Sequence, residues 1–178
     1  MSHVRGTKLL EYCCFVHEIT DLRESDFPYI SQRLDSWWGG RNMVPMLPKL
    51  WFKDFAPTSF AIRDRDSLPI AFLVGYLSQT DGTKAYVHFI GVDPESRKEG
   101  LGRSLYEAFA AKVQSVGANR IEAVTSPVNI TSLRFHESLG FLAKEGSGEM
   151  VLPTQASGHK DFDGDGEDRV LLVKSLPL

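Results

Sequence analysis

The stretch "KAYVHFIGVDPESRKEGLGRSLYEAF", residues 84–109, decides how this chain folds. Its first nine residues are rich in aromatic and β-branched side chains, which is typical of a strand. After the glycines, apolar residues recur at helical spacing with charged residues between them. The apolar positions are Leu101, Leu105, Ala108, Phe109 and Val113. The sequence therefore predicts a strand, a tight loop and then a helix.

The loop has the chemistry of an anion site. A helix N-terminus exposes backbone N–H groups without partners and carries partial positive charge, and Gly100 and Gly102 let that backbone approach a ligand closely. A Walker A loop is excluded because Arg103 and Ser104 follow, and a dinucleotide fingerprint lacks its third glycine at Leu105. The expected ligand is a phosphate or pyrophosphate. A helix start that uses glycine only for tight packing is the alternative.

Two motifs, in this order, resemble the GNAT superfamily of N-acetyltransferases. Residues 92–105 read V-D-P-x-x-R-x-x-G-x-G-R-x-L, which resembles the acetyl-CoA loop of that family. Residues 129–141, "NITSLRFHESLGF", are similar to its later cofactor motif, Asn-x-x-Ala/Ser-x-x-x-Tyr-x-x-x-Gly-Phe, with His136 where tyrosine is usual. The resemblance spans residues 58–175 and, more loosely, the whole chain.

The resemblance implies one domain over residues 1–178 with an α+β (α/β layered) fold, in which a central mixed, mostly antiparallel β-sheet is flanked by helices. The order of strand and helix patterns along the chain agrees with such a layered fold. Acetyl-CoA is the implied co-substrate. The residues implied to bind it are Ile90, Gly91, Val92, Arg97, Lys98, Glu99, Gly100, Leu101, Gly102, Arg103, Asn129, Ser132, Phe135 and His136.

These residues are expected to hold the cofactor in two ways. The N–H groups of residues 98–103 cradle the pyrophosphate, with a flanking arginine adding charge unless it points to solvent. By resemblance, the backbone of Ile90 and Val92 pairs with the pantetheine arm like an added strand. Asn129 would touch the same arm, and it also has the position of a helix N-cap.

Acetyl transfer needs a neutral amine and a proton or stabilising charge for the leaving thiolate. His88 is the candidate base, because on a regular strand it shares a face with Ile90 and Val92 and its ordinary pKa of about 6.5 suits the task. A hydrogen-bonded core histidine is the alternative, and Glu122 is a second candidate base. His136 is the candidate acid at the position where the family has tyrosine.

The acceptor amine is expected to bind near the N-terminal helices. Two adjacent tryptophans in "WWGG" cannot both face one core from a helix, so one of them is expected to face a cleft or a partner. Asp35 and Arg41 flank the pair and could orient a polar acceptor, although core packing is the alternative for each aromatic residue. The candidate acceptor residues are Asp35, Trp37, Trp38 and Arg41.

Other patterns place further elements along the chain. A strand is predicted at 11–20, helices at 25–38 and 45–55, strands at 58–64, 69–79 and 119–126, a helix at 129–141, and a closing pair of strands at 148–153 and 168–176. A Ser-Asp pair is expected to cap the first helix.

Composition narrows the class of protein. A formal charge of −3 gives no basic surface for nucleic acid, and the longest apolar run, "PIAFLVGYL", is too short to span a membrane. The N-terminus lacks a signal-peptide core. Cys13 and Cys14 are adjacent, so neither a disulfide nor a zinc site is expected. A cytoplasmic protein is predicted. The sequence leaves open whether it forms a homodimer.

The acidic run "DFDGDGED", residues 161–168, resembles a calcium loop, but the twelfth position from Asp161 is Leu172 and not glutamate. A solvated turn is expected there, with no metal.

The leading hypothesis is an acetyl-CoA-dependent N-acetyltransferase that acts on a small-molecule or peptide primary amine by direct attack. The alternative is a non-catalytic acyl-CoA-binding sensor or interaction module, which the missing tyrosine motivates.

Overall fold

A computed structural model of the chain describes residues 18–146 and 158–177. Its strands are β1 Ile19–Asp21, β2 Phe60–Arg63, β3 Pro69–Leu77, β4 Lys84–Val92, β5 Arg120–Thr125, β6 Leu142–Ala143 and β7 Val170–Ser175. Its α-helices are α1 Phe27–Trp37, α2 Leu50–Asp54, α3 Leu101–Gln114 and α4 Ile130–Ser138.

The strands of the described part of the chain form one sheet in the order β1-β2-β3-β4-β5-β7-β6. Neighbouring strands are antiparallel except for β4 and β5, which are parallel and are joined by the crossover helix α3. The predicted mixed, mostly antiparallel sheet flanked by helices is confirmed.

Helix α3 covers one face of the sheet with the apolar stripe that the sequence predicted. Leu105, Phe109 and Val113 have no exposed surface, and they pack in one cluster with Val87 of β4 and residues of β5 and β7. Burying such side chains stabilises the fold by about 1.5–3 kcal/mol each. The helix therefore fixes the position of its own N-terminal loop against the end of β4.

Helices α1 and α2 cover the other face. Ile30 and Leu34 are fully buried against Phe72 of β3, in a cluster that also contains Phe89 of β4. Helix α1 lies where the sequence predicted it, but the expected cap is wrong. The Asp26 carboxylate makes no cap hydrogen bond to α1 and instead pairs with Arg63 at 2.8 Å.

The predicted helix over residues 45–55 is only partly present. A 3₁₀ turn, Val44–Met46, is followed by the five-residue helix α2. Pro48 explains the break, because proline disfavours helical geometry in the residue before it, and Leu47 has φ −128° and ψ 62°. The strand predicted at 148–153, most of the one predicted at 11–20, and both cysteines lie outside the described residues.

Candidate functional site

The sheet opens beside the second half of β4. Strand β4 pairs with β5 only over Lys84–Val87, which lies opposite Arg120–Ala123, although β4 continues to Val92. The N–H of Asp93 donates to the carbonyl of Ile70 on β3 at 2.8 Å. Because backbone groups alternate in direction along a strand, those of Ile90 and Val92 point away from β3, into the opening.

A bulge in β4 lies at the start of this opening. Phe89 pairs with Val74 and Val87 pairs with Gly75, which leaves His88 as an extra residue without a partner on β3. An extra residue interrupts the alternation of side chains. Phe89 consequently packs with the α1 side of the sheet, whereas Val87 packs with the α3 side.

The bulge corrects one sequence-based expectation. His88 does not share a face with Ile90 and Val92, because those two pack against the α3 cluster. The His88 ring stacks instead on Trp51 of α2, on the opposite face, with 4.1 Å between ring centroids and 16° between planes. The imidazole and the open backbone edge thus lie at the same point of β4 but on different sides of it.

The tautomer of His88 follows from its hydrogen bond. Its Nε2 lies 2.8 Å from the carbonyl oxygen of Met46, and since a carbonyl can only accept, Nε2 carries the hydrogen. Nδ1 then has a free lone pair, with no hydrogen-bond partner in the described part of the chain. Burial lowers the pKa of His88, while the Met46 carbonyl and the charge of Asp163 oppose that shift. A neutral imidazole at pH 7 follows.

Half-buried aromatic residues form a row of ring contacts on this face, which begins at Trp51, the residue stacked on His88. We call the set of Trp51, Phe55, Tyr76 and Tyr86 the aromatic wall. Successive ring centroids lie 4.5 Å (Trp51–Phe55), 5.8 Å (Phe55–Tyr76) and 5.4 Å (Tyr76–Tyr86) apart. Burial raises the pKa of both tyrosines, so their hydroxyls stay protonated at neutral pH.

Sequence reasoning missed the two tyrosines of this wall. Tyr86 stands two residues before His88, and Tyr76 is its cross-strand partner. The period-two pattern along β4 could have found Tyr86. Tyr76 required the register between β3 and β4, which the sequence alone does not give.

The glycine loop carries backbone donors as predicted. Lys98 and Gly100 have positive φ angles of 72° and 82°, and the first helical hydrogen bond of α3 runs from Ser104 N to Gly100 O at 3.1 Å. The N–H groups of residues 101–103 precede that bond and have no hydrogen-bond partner among the described residues. Lys98 and Glu99 are exposed beside them. The loop therefore offers a row of donors to an anion.

Gly100 and Gly102 are favoured as glycines for different steric reasons. A Cβ on Gly100 would meet no atom within 4 Å, so only its φ favours glycine there. A Cβ on Gly102 would lie 3.0 Å from the ring of Phe135 on α4. Gly102 thus permits the close approach of α3 and α4, and it brings the two cofactor-motif segments into contact.

Both predicted phosphate-binding arginines contact backbone carbonyls in this structure. Arg97 donates to the carbonyls of Val92 (3.3 Å) and Trp37, which joins the end of β4 to the end of α1. Arg103 donates to Ser138 at the end of α4 at 3.0 Å. Each guanidinium thereby complements the negative end of a helix dipole. Both side chains are exposed, so either could also reach a ligand at the loop.

Asn129 begins helix α4 in the way the sequence predicted. Its Oδ1 accepts from the N–H of Ser132 at 3.2 Å, so the predicted N-cap is confirmed. Its expected contact with acetyl-CoA stays a prediction.

His136 is buried, with 4% of its surface exposed. Its Nδ1 lies 2.8 Å from the carbonyl of Ser132, so Nδ1 is the donor. Its Nε2 must then accept from the hydroxyl of Tyr106, 2.7 Å away. Burial lowers the pKa of His136, opposed by the hydrogen bond to Ser132. Both ring nitrogens are therefore occupied, and the expected acid role stays a prediction.

Glu122 lies at the closed end of the β4–β5 pair. Its carboxylate is 3.6 Å from Lys84 Nζ and 3.2 Å from Arg120 Nε. The carboxylate thus lies between two cations, and its expected role as a second base stays a prediction.

The two tryptophans of "WWGG" both pack on one cluster, contrary to the expectation from the sequence, and their acceptor role stays a prediction. Trp37 is buried and Trp38 half-buried, and both pack on the α1-side cluster. Helix α1 ends at Trp37, so Trp38 is no longer held to helical spacing. Its ring lies over Gly91, where a Cβ would come within 2.7 Å of both Trp38 and Phe72. Arg41, also predicted at the acceptor site, is exposed and donates to the carbonyl of Trp38 at 3.3 Å.

Comparison with known proteins accounts for this arrangement. Residues 16–141 match the family described as "Acetyltransferase (GNAT) family". This chain belongs to that family. The GNAT match includes the β4 opening, the glycine loop and the α4 motif, the three features described above.

Two relatives of this GNAT chain are similar over about half of it. An L-2,4-diaminobutyric acid acetyltransferase from Streptomyces coelicolor is 33% identical over 90 residues, which cover 50% of this chain and 53% of that protein. A mycothiol acetyltransferase from Thermobispora bispora is 33% identical over 91 residues, 49% of this chain and 31% of that protein. The matched segments thus span about half or less of these relatives.

A solved structure confirms the fold. A GNAT phosphinothricin acetyltransferase from Sinorhizobium meliloti, in complex with AcCoA, aligns with a TM-score of 0.66 at 16% identity, covering 90% of this chain and 88% of that one.

The described ranges, 18–146 and 158–177, contain neither a membrane-spanning helix nor a cluster of metal ligands. No helix there is long and apolar enough to cross a membrane. No three His, Cys, Asp or Glu side chains there converge as ligands for a metal ion.

Proposed function

We propose that this GNAT-family chain is an acetyl-CoA-dependent N-acetyltransferase that moves the acetyl group to a primary amine by direct attack. One observation carries the proposal. The backbone edge of β4 at Ile90 and Val92 pairs with no further strand of the described residues, and it leads into a glycine loop whose N–H groups at 101–103 have no hydrogen-bond partner among those residues. An extended thioester-bearing chain that ends in a pyrophosphate fits both parts.

The residues present fit acetyl-CoA by their backbone chemistry. The pantetheine arm would add to β4 as a short strand, and the N–H groups of residues 101–103 would receive the pyrophosphate. An N–H of the β4 edge would also stabilise the developing oxyanion. This scheme depends on backbone atoms, so Arg103 can keep the carbonyl that it contacts. Arg97 would share the Val92 carbonyl with the pantetheine arm, and that oxygen has a second lone pair to accept it.

The proton of the attacking amine would pass to His88. With Nε2–H held by Met46, Nδ1 is the nitrogen that can accept a proton, directly or through a water. The lowered pKa keeps this nitrogen free at neutral pH. The aromatic wall beside it offers the apolar surface on which the carbon skeleton of an acceptor would lie.

The leaving thiolate would take a hydrogen bond from Ser132. Because Nδ1 of His136 is a donor, the Ser132 hydroxyl 3.3 Å away accepts from it, and its own hydrogen stays free to donate. His136 could protonate the sulfur only by giving up the hydrogen bonds that one of its ring nitrogens makes. Donation by the Ser132 hydroxyl would break no existing hydrogen bond.

The names of the relatives support an amine acceptor, since one of them gives a diamino acid as its substrate. A panel of primary amines tests the proposal: diamino acids, arylalkylamines and peptides with free N-termini. Release of coenzyme A thiol is followed together with the mass of the acceptor. We expect thiol release that depends on at least one amine, with an acetylated product. Binding of acetyl-CoA without turnover on any amine would favour the sensor alternative and contradict the proposal.

A further inference from the structure

Asp35 lies at the end of α1 and holds the loop that follows. Its Oδ1 accepts two backbone hydrogen bonds, from Met43 N at 2.7 Å and from Val44 N at 3.1 Å. Asp35 is half-buried. Two charge-assisted bonds from one carboxylate oxygen fix the first residue of the 3₁₀ turn Val44–Met46 and the residue before it.

The turn connects Asp35 to His88 through hydrogen bonds. Met46 N donates to Met43 O at 3.0 Å and Leu47 N donates to Val44 O at 3.1 Å, which closes the turn. The carbonyl of Met46 then points at His88 Nε2, 2.8 Å away. Asp35 and His88 are 53 residues apart, yet two steps connect them: carboxylate to turn, and turn to imidazole.

We propose that Asp35 is a positioning residue for His88. By holding the 3₁₀ turn, it keeps the Met46 carbonyl on Nε2–H and so leaves Nδ1 as the nitrogen that accepts the proton of the amine. This inference rests on the proposed function, in which His88 is the base. It replaces the expectation that Asp35 contacts the acceptor amine.

The stacking of Trp51 makes the carbonyl necessary. A ring held by stacking alone can flip by 180° about its Cβ–Cγ bond, which would exchange Nδ1 with Cδ2 and Nε2 with Cε1, and its proton could lie on either nitrogen. The Met46 carbonyl distinguishes the two nitrogens because it requires a donor. Loss of the turn would therefore leave the ring in place but its orientation undefined.

The test compares Asp35→Ala with Asp35→Asn. The amide oxygen of asparagine can still accept both N–H groups, so Asp35→Asn should keep most of the activity. Asp35→Ala should lower kcat by up to about 10²-fold, the size expected when a catalytic group is misplaced, with little change in the KM for acetyl-CoA. A residue that bound the acceptor through its charge would give the opposite pattern, with Asp35→Asn raising the KM for the amine.

A direct readout does not depend on activity. The Nε2–H of His88 should give a slowly exchanging imidazole proton resonance in wild type and in Asp35→Asn, and this signal should be lost in Asp35→Ala. The matched control is Asp64→Ala. Asp64 Oδ1 likewise accepts two backbone bonds, from Asp66 N at 3.0 Å and Leu68 N at 2.8 Å, in a turn between β2 and β3. That variant should keep both the resonance and kcat.

The outcomes separate this inference from the proposed function. An Asp35→Ala protein with wild-type kcat, or with the His88 N–H signal intact, overturns the positioning role. If His88→Ala is itself as active as wild type, the proposed base is wrong and the role of Asp35 falls with it. If His88→Ala is inactive and Asp35→Ala is fully active, only the present inference fails.

Discussion

The hydroxyl of Tyr106 donates to Nε2 of His136 across 2.7 Å, and the two side chains are 3% and 4% exposed. The bond joins the middle of α3 to α4, on the side of the sheet where the cofactor motifs meet. The direction of the bond is fixed, because the other ring nitrogen must donate to the Ser132 carbonyl. A buried histidine with two satisfied nitrogens is a structural element of this core.

Removing the Tyr106 hydroxyl should therefore reduce stability. Tyr106→Phe leaves a buried ring nitrogen without its donor, which costs about 1–3 kcal/mol. The free energy of unfolding in urea measures this loss. Tyr86→Phe is the control, because the Tyr86 hydroxyl makes no hydrogen bond within the described residues and should cost less. Equal losses in the two variants would contradict the importance of the bond.

Much of this side of the molecule could be predicted from the sequence. The strand β4, the loop, helix α3 and the Asn129 cap all depend on residues that are close in the chain. The bulge at His88 could not be predicted, since it is defined by the register with β3. The same holds for the bond between Tyr106 and His136, which are 30 residues apart, and for Trp38, whose position depends on where α1 ends.

The half-buried His88 and the buried His136 should make stability depend on pH. Burial lowers the pKa of both His88 and His136 in the folded state. Below the ordinary histidine pKa of about 6.5, the unfolded chain then binds more protons than the folded one. The free energy of unfolding should thus fall as pH drops from 7.5 to 5.5. His136→Gln should show a shallower slope over that range, and an unchanged slope would contradict the assignment.

The base assignment predicts a loss of rate. His88→Ala should lower kcat/KM by about 10²- to 10⁴-fold on a good acceptor. In wild type the rate should rise with pH through the lowered pKa of His88, because the neutral form is the active one. His88→Gln can still donate to the Met46 carbonyl but offers no base, so it should be as impaired as alanine. A wild-type pH–rate profile in His88→Ala would contradict the assignment and leave Glu122 or a water as the base.

Substitutions of the two loop glycines should affect different properties of the protein. Gly100→Ala places a methyl group in open space but strains a residue at φ 82°, at a cost of about 1–2 kcal/mol. We expect weaker acetyl-CoA binding in calorimetry, since the loop would have to change its backbone shape. Gly102→Ala crowds Phe135 and should mainly lower the melting temperature, by overpacking α3 against α4. Normal stability and normal affinity in both variants would contradict the loop geometry.

The most direct test of the account asks where acetyl-CoA binds. Amide-resolved hydrogen exchange of the protein with and without acetyl-CoA measures which N–H groups gain protection. We predict protection at Ile90 and Val92 of the β4 edge and across residues 101–103 of the loop, with no change at Gly91, which already faces β3. Protection confined to other parts of the chain, or no change at millimolar acetyl-CoA, would contradict the account.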